Sequence, residues 1–76
     1  MQLIVHGAGV PELPLRLLNL LAQQGAIVER AALELVGGDY RIRLEIAPAG
    51  RGALIVEKIR AMVLVAEVSV AEFASV

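Results

Sequence analysis

The sequence predicts an α+β fold on the split βαβ plan: a four-stranded antiparallel sheet with two helices on one face. Three observations predict it. Hydrophobic periods follow one another as strand, helix, strand, strand, helix, strand. Glycine and proline punctuate the joins, at Gly7-Ala8-Gly9, Gly25, Gly37-Gly38-Asp39 and Pro48 to Gly52. The chain has 76 residues, enough for one small domain spanning 1–76 and no more.

Gln2 to His6 is short, apolar and β-branched, so it reads as the first strand, with His6 on the face opposite Leu3 and Val5. Pro11 suits the first turn of a helix, where its missing N–H costs nothing, and Glu12 favours the positive end of the helix dipole. Leu13, Leu17, Leu20 and Leu21 recur at helical spacing. Leu15 and Leu18 widen that stripe, which predicts a helix covered on more than one side. Gly25 is the expected stop in a left-handed cap.

Ile27 to Val36 reads as the second strand, with a slip in its alternation. Ala31, Leu33 and Leu35 share one phase and Val28 the other. One extra residue near Glu29-Arg30 repairs the phase, so a β-bulge is expected there, placing Val28 with Ala31, Leu33 and Leu35 in the core. Gly37-Gly38-Asp39 is a tight hairpin turn. Tyr40, Ile42, Leu44 and Ile46 then point one way, and Arg41, Arg43 and Glu45 the other, towards water or a polar partner. After the loop Pro48 to Gly52, Ala53 to Met62 reads as a helix with Ile55, Ile59 and Met62 on one face. Val63 to Glu72 is the last strand. The result is a ferredoxin-like βαββαβ sandwich with strands two and four at the edges.

Composition narrows the function. The chain is 58% hydrophobic with only 20% charged residues, which excludes disorder. A domain of this size buries only about 60% of its unfolded surface. Its mean hydropathy of +0.74 therefore points to an oligomer or a larger complex. Seven basic residues against eight acidic ones, with one Tyr, one Phe and no Trp, argue against nucleic acid. No apolar run approaches the roughly 20 residues of a bilayer span. No basic region with a cleavage site marks a signal peptide. The absence of cysteine excludes disulfides and thiolate metal sites and fits a reducing, cytoplasmic setting.

Catalytic material is scarce. His6 is the only histidine, and Ser69, Ser75 and Tyr40 are the only hydroxyls, so a Ser/His/Asp triad has almost nothing to draw on. Glu12, Glu29 and Asp39 lie on different elements and form no obvious carboxylate pair. Gly7-Ala8-Gly9 lacks the third glycine of a dinucleotide turn, and the chain is too short for that fold. The paired cysteines of small copper carriers and the phosphate-cradling arginine loop of acylphosphatases are both missing. His6 is expected at the surface or an interface. No enzyme activity, metal or cofactor is expected.

Particular residues carry a resemblance. They are Leu3 and Val5 in the first strand, Pro11-Glu12, then Arg16 and Leu18, and Gly25 fourteen residues after the proline. Glu45 within Ile42 to Ile46 adds to them. So does Ile59-Arg60-Ala61-Met62-Val63-Leu64-Val65-Ala66-Glu67-Val68, a last helix running through a short apolar turn into a strand. In order and spacing this resembles the ACT domain, the small regulatory module of amino-acid metabolism. Within that family it is most similar to the short regulatory subunits of acetolactate synthase.

The resemblance implies regulation by protein–protein contact in branched-chain amino-acid biosynthesis. It implies a homodimer through the edge strand Ile27 to Val36 and a possible partner in the acetolactate synthase catalytic subunit. The family's alternative is a stand-alone dimer that binds an amino acid or related small effector at the subunit interface. The residues implied for such a site are Gly7, Ala8, Gly9, Val10, Pro11, Glu12 and Ile27. This chain departs from the family's ligand pattern at three of them. Gly9 stands where a polar loop residue is expected, Glu12 where a glycine would be, and Ile27 where an asparagine opens the second strand. Glu12 would set a carboxylate where the ligand's own carboxylate belongs.

Overall fold

Alternation makes β1 (Gln2–Ala8) one-sided: Leu3 and Val5 are fully buried, while Gln2, Ile4 and His6 are only partly so. The computed structural model describes residues 1–47 and 50–71. It continues with α1 (Glu12–Gln23), β2 (Val28–Val36), β3 (Asp39–Ile46), α2 (Gly52–Arg60) and β4 (Val65–Ala71). The sheet order is β2-β3-β1-β4, all neighbours antiparallel, so β2 and β4 are the edges as expected. Pro48 and Ala49 of the expected loop, and the expected strand end at Glu72, lie outside the described residues. No helix among the described residues is long and apolar enough to cross a membrane.

Both helices are held by one stripe. Leu13, Leu17 and Leu21 of α1, spaced by four, are fully buried, as are Ile55 and Ile59 of α2. α1 ends in a Schellman cap. The N–H of Ala26 donates to the Leu21 carbonyl (2.9 Å) and that of Gly25 to Ala22 (3.0 Å), with Gly25 at φ +72°. Gly37 and Gly38, at φ +59° and +88°, make the two-residue hairpin between β2 and β3. In α2, Lys58 and Arg60 occupy the last turn, where the dipole favours cations.

The bulge lies where the phase slip predicts it. Val28 pairs with Ile46 and Arg30 with Glu45, leaving Glu29 as the extra residue. Val28 thereby joins the side of Ala31, Leu33 and Leu35, which stand opposite Leu44, Ile42 and Tyr40. Burial corrects the rest of that expectation. Ile42 and Leu44 are 1% exposed, whereas Leu33 is 45% and Leu35 64% exposed; Ala31 is exposed too. The core is made by β1, β3, α1, α2 and Val68, with only Val28 of β2 packed against it. The cover supplied by two helices ends at β3, so the helix-side row of β2 overhangs into the open. The wide stripe of α1 is corrected in the same way, since Leu15 and Leu18 are exposed.

Candidate functional site

The loop after β1 is built by close backbone packing. Gly7 is buried beside a break in the β1–β4 register, where a Cβ would lie 2.7 Å from Leu13 Cδ2 and closer still to the Leu64 carbonyl oxygen. The next amide, of Ala8, donates to that same carbonyl (2.9 Å). Val10 N–H turns back to the Ala8 carbonyl (2.8 Å), and Leu13 N–H to that of Val10 (3.1 Å), which sets Pro11 as the N-cap of α1. Pro11 and Glu12 are exposed.

Gly9 decides what this loop can hold. A Cβ built on it would stand 1.9 Å from the Gly38 carbonyl oxygen and 3.2 Å from Leu35 Cδ1. The β2–β3 hairpin occupies the space a polar side chain at position 9 would need. The absence of that polar residue is therefore part of how loop and hairpin pack.

Ile27, 68% exposed, is at the other end of the sheet. Its carbonyl accepts from Ala47 N–H (2.9 Å). Ala8 stands opposite Asp39 and Val28 opposite Ile46, so seven residues of β3 separate the two ends, roughly 23 Å at ~3.3 Å per residue. Gly7, Ala8, Gly9, Val10, Pro11 and Glu12 form one contiguous segment, and Ile27 does not reach it within one chain. A second chain running antiparallel along β2 would bring its own Ile27 to the Gly9 end.

The helix-free face of the sheet carries the polar residues in three cross-strand rows. Glu34, Arg41, His6 and Glu67 form the first; Ala32, Arg43, Ile4 and Ser69 the second; Arg30, Glu45, Gln2 and Ala71 the third. In the third, Gln2 Nε2 donates to Glu45 Oε1 (2.8 Å), and Arg30 Nε lies 3.6 Å from Glu45 Oε2. In the first, Arg41 Nε is buried without a hydrogen-bond partner among the described residues. The second and third rows, Ser69 apart, line a half-open concavity of about 570 Å³ bounded by Gln2, Ile4, Arg30, Ala32, Arg43 and Glu45. None of the loop residues Gly7 to Glu12 lines it. The alternation Arg41-Arg43-Glu45 marks this face in the sequence, but nothing in the alternation marks the hollow.

Solved structures share this fold. The crystal structure of the ACT domain from GTP pyrophosphokinase of Chlorobium tepidum superposes with a TM-score of 0.75 at 13% identity, covering 90% of this chain and 91% of that one. The fold is that of an ACT domain. A solution NMR structure of the same Chlorobium tepidum domain also superposes with a TM-score of 0.75 at 13% identity, covering 95% of this chain and 85% of that one. The sequence itself matches no family model and no curated protein.

Proposed function

We propose that this ACT-fold chain is a non-catalytic regulatory or stabilising subunit of the cytoplasm that works through protein–protein contact. Its first partner is a second copy of itself, joined along β2. Its second is a catalytic chain of the acetolactate synthase type. The observation that carries the reading is the nine-residue edge strand β2, whose helix-side row Ala31, Leu33 and Leu35 lies exposed. An unpaired edge of that length offers a ladder of N–H and C=O groups to another strand. Two-fold pairing of β2 would continue the sheet from one chain to the next and cover the overhanging leucines.

The acetolactate synthase assignment rests on the sequence resemblance from Gln2 to about Val70. Docking on a catalytic chain by apolar contact also suits an exposed Leu15 and Leu18. A stand-alone amino-acid sensor is less well supported. The place of a ligand-binding side chain at position 9 is filled by the Gly38 carbonyl, and Ile27 offers neither donor nor acceptor from its side chain.

Sedimentation of the intact chain at tens of micromolar tests the first half, with a dimer as the expected result. Substituting Leu33→Glu should give a monomer that keeps its circular dichroism. Pull-down with an acetolactate synthase catalytic subunit tests the second half. A monomeric parent chain would remove the edge-pairing argument, and failure to retain any synthase would remove the partner.

A further inference from the structure

The hollow on the helix-free face takes in Arg30, Ala31 and Ala32 of β2 but none of the β1–α1 loop, and the charges of its own lining do not balance. Its third row is neutralised internally, Glu45 being held between Arg30 and Gln2. The first row sets two carboxylates, Glu34 and Glu67, about Arg41 and His6. In the second row Arg43 has only Ala32 and Ile4 as cross-strand neighbours, and it makes no ion pair among the described residues. Across the three rows three arginines stand among three glutamates, but the hollow's own lining holds only Arg30, Arg43 and Glu45, so Arg43, without an ion pair among the described residues, is its excess cation beside walls of Ile4, Ala32 and Ala71.

We infer that this hollow binds a small organic monocarboxylate with an apolar body, its carboxylate on Arg43 and its body across Ile4, Ala32 and Ala71. The volume of about 570 Å³ lies within the ordinary range for small-molecule sites, which pair apolar walls with a few placed polar groups. A guanidinium fork matches a carboxylate in a bidentate pair, a geometry an ammonium cannot reproduce. An exposed ion pair alone contributes little. The body is thus as necessary as the charge. A dianion would meet Glu45 at one end or the Glu34 and Glu67 row at the other, so a single negative charge is the better match.

Octanoate is the probe, titrated into the intact chain and followed by amide chemical shifts. Saturable shifts at Ile4, Ala32 and Ala71 are expected. Acetate, which lacks the body, and 1-octanol, which lacks the charge, should each bind more weakly by roughly ten-fold or more. Arg43→Gln should weaken octanoate by a similar factor, and Arg43→Lys should restore only part of the loss. Ala32→Trp, which fills the hollow and leaves the guanidinium, should also abolish binding. Four results would overturn the inference: no saturation at millimolar octanoate, an affinity indifferent to Arg43→Gln, shifts confined to Gly9 to Leu13, or a change in sedimenting mass with Arg43→Gln. The last would assign the face to a second copy of the chain.

Discussion

Placing an asparagine at position 9 would restore the polar residue that the ACT ligand pattern has in this loop, and the structure predicts damage rather than gain. The Cβ alone would sit 1.9 Å from the Gly38 carbonyl oxygen, where ordinary contact begins at 3.4 Å, so the hairpin must retreat by about 1.5 Å. The obstacle is backbone, in a two-residue turn whose glycines both hold positive φ, and it cannot move aside by changing rotamer. Overpacking of this kind costs roughly 1–3 kcal/mol. At ~0.05–0.15 kcal/mol per residue, a chain of 76 residues has roughly 4–11 kcal/mol in total. With about 4–8 °C per kcal/mol for domains of this size, Gly9→Asn should lower the melting temperature by roughly 4–24 °C. Gly9→Ala should do nearly as much, because the clash is at Cβ. Gly50→Ala is the control: a Cβ there meets nothing within 4 Å among the described residues, so stability should stay within about 0.5 kcal/mol. Thermal and urea unfolding of the three variants decide the matter. A Gly9→Asn protein as stable as the parent would refute the packing argument, and one that also bound valine would restore the sensor reading.

Leu44→Ala, at a fully buried position, should cost roughly 2–5 kcal/mol in urea unfolding, whereas Leu33→Ala should act mainly on the dimer equilibrium, read by sedimentation. Gly7→Ala should destabilise the fold as Gly9→Ala does, since its Cβ would press on the Leu64 carbonyl and Leu13; an unchanged unfolding midpoint would count against the β1–β4 packing described. Valine, leucine and isoleucine should give no binding heat in calorimetry, because each polar ligand atom left against Ile27 costs roughly 1–3 kcal/mol and Glu12 repels a carboxylate. Micromolar affinity for any of the three would overturn that expectation.

What could be read in the sequence divides along a physical line. Local periodicity reports which side of an element is apolar, and it did so for Leu13, Leu17 and Leu21, for Ile42, Leu44 and Ile46, and for the phase slip at Glu29. It does not report what lies above that side. Leu33 and Leu44 have the same pattern, yet one faces the open and the other a helix, because coverage depends on how many strands two helices can span. The loop and Ile27 were grouped through a resemblance whose site is shared between subunits, and a single chain places them at opposite ends. The hollow around Arg43 escaped because it arises from the side-by-side placing of three rows. Only the strand registers, which the sequence does not state, bring Arg43 between Ile4 and Ala32.

The unpaired Glu29 bears on how this chain should be aligned with relatives. Counted back from the hairpin, every residue up to Arg30 has its natural counterpart in a strand without the insertion, but Val28 and Ile27 are displaced by one place. A relative lacking the insertion would carry the counterpart of Ile27 one residue nearer its hairpin. An ungapped alignment would then match Ile27 to a residue of the opposite face. Deletion of Glu29 during divergence would leave Val28 opposite Ile46 and on the side of Ala31, Leu33 and Leu35, because the bulge already absorbs the extra residue. Insertion or deletion at this one position would therefore preserve both the sheet and the side on which Val28 lies, so the strand can change length there without any substitution in the core.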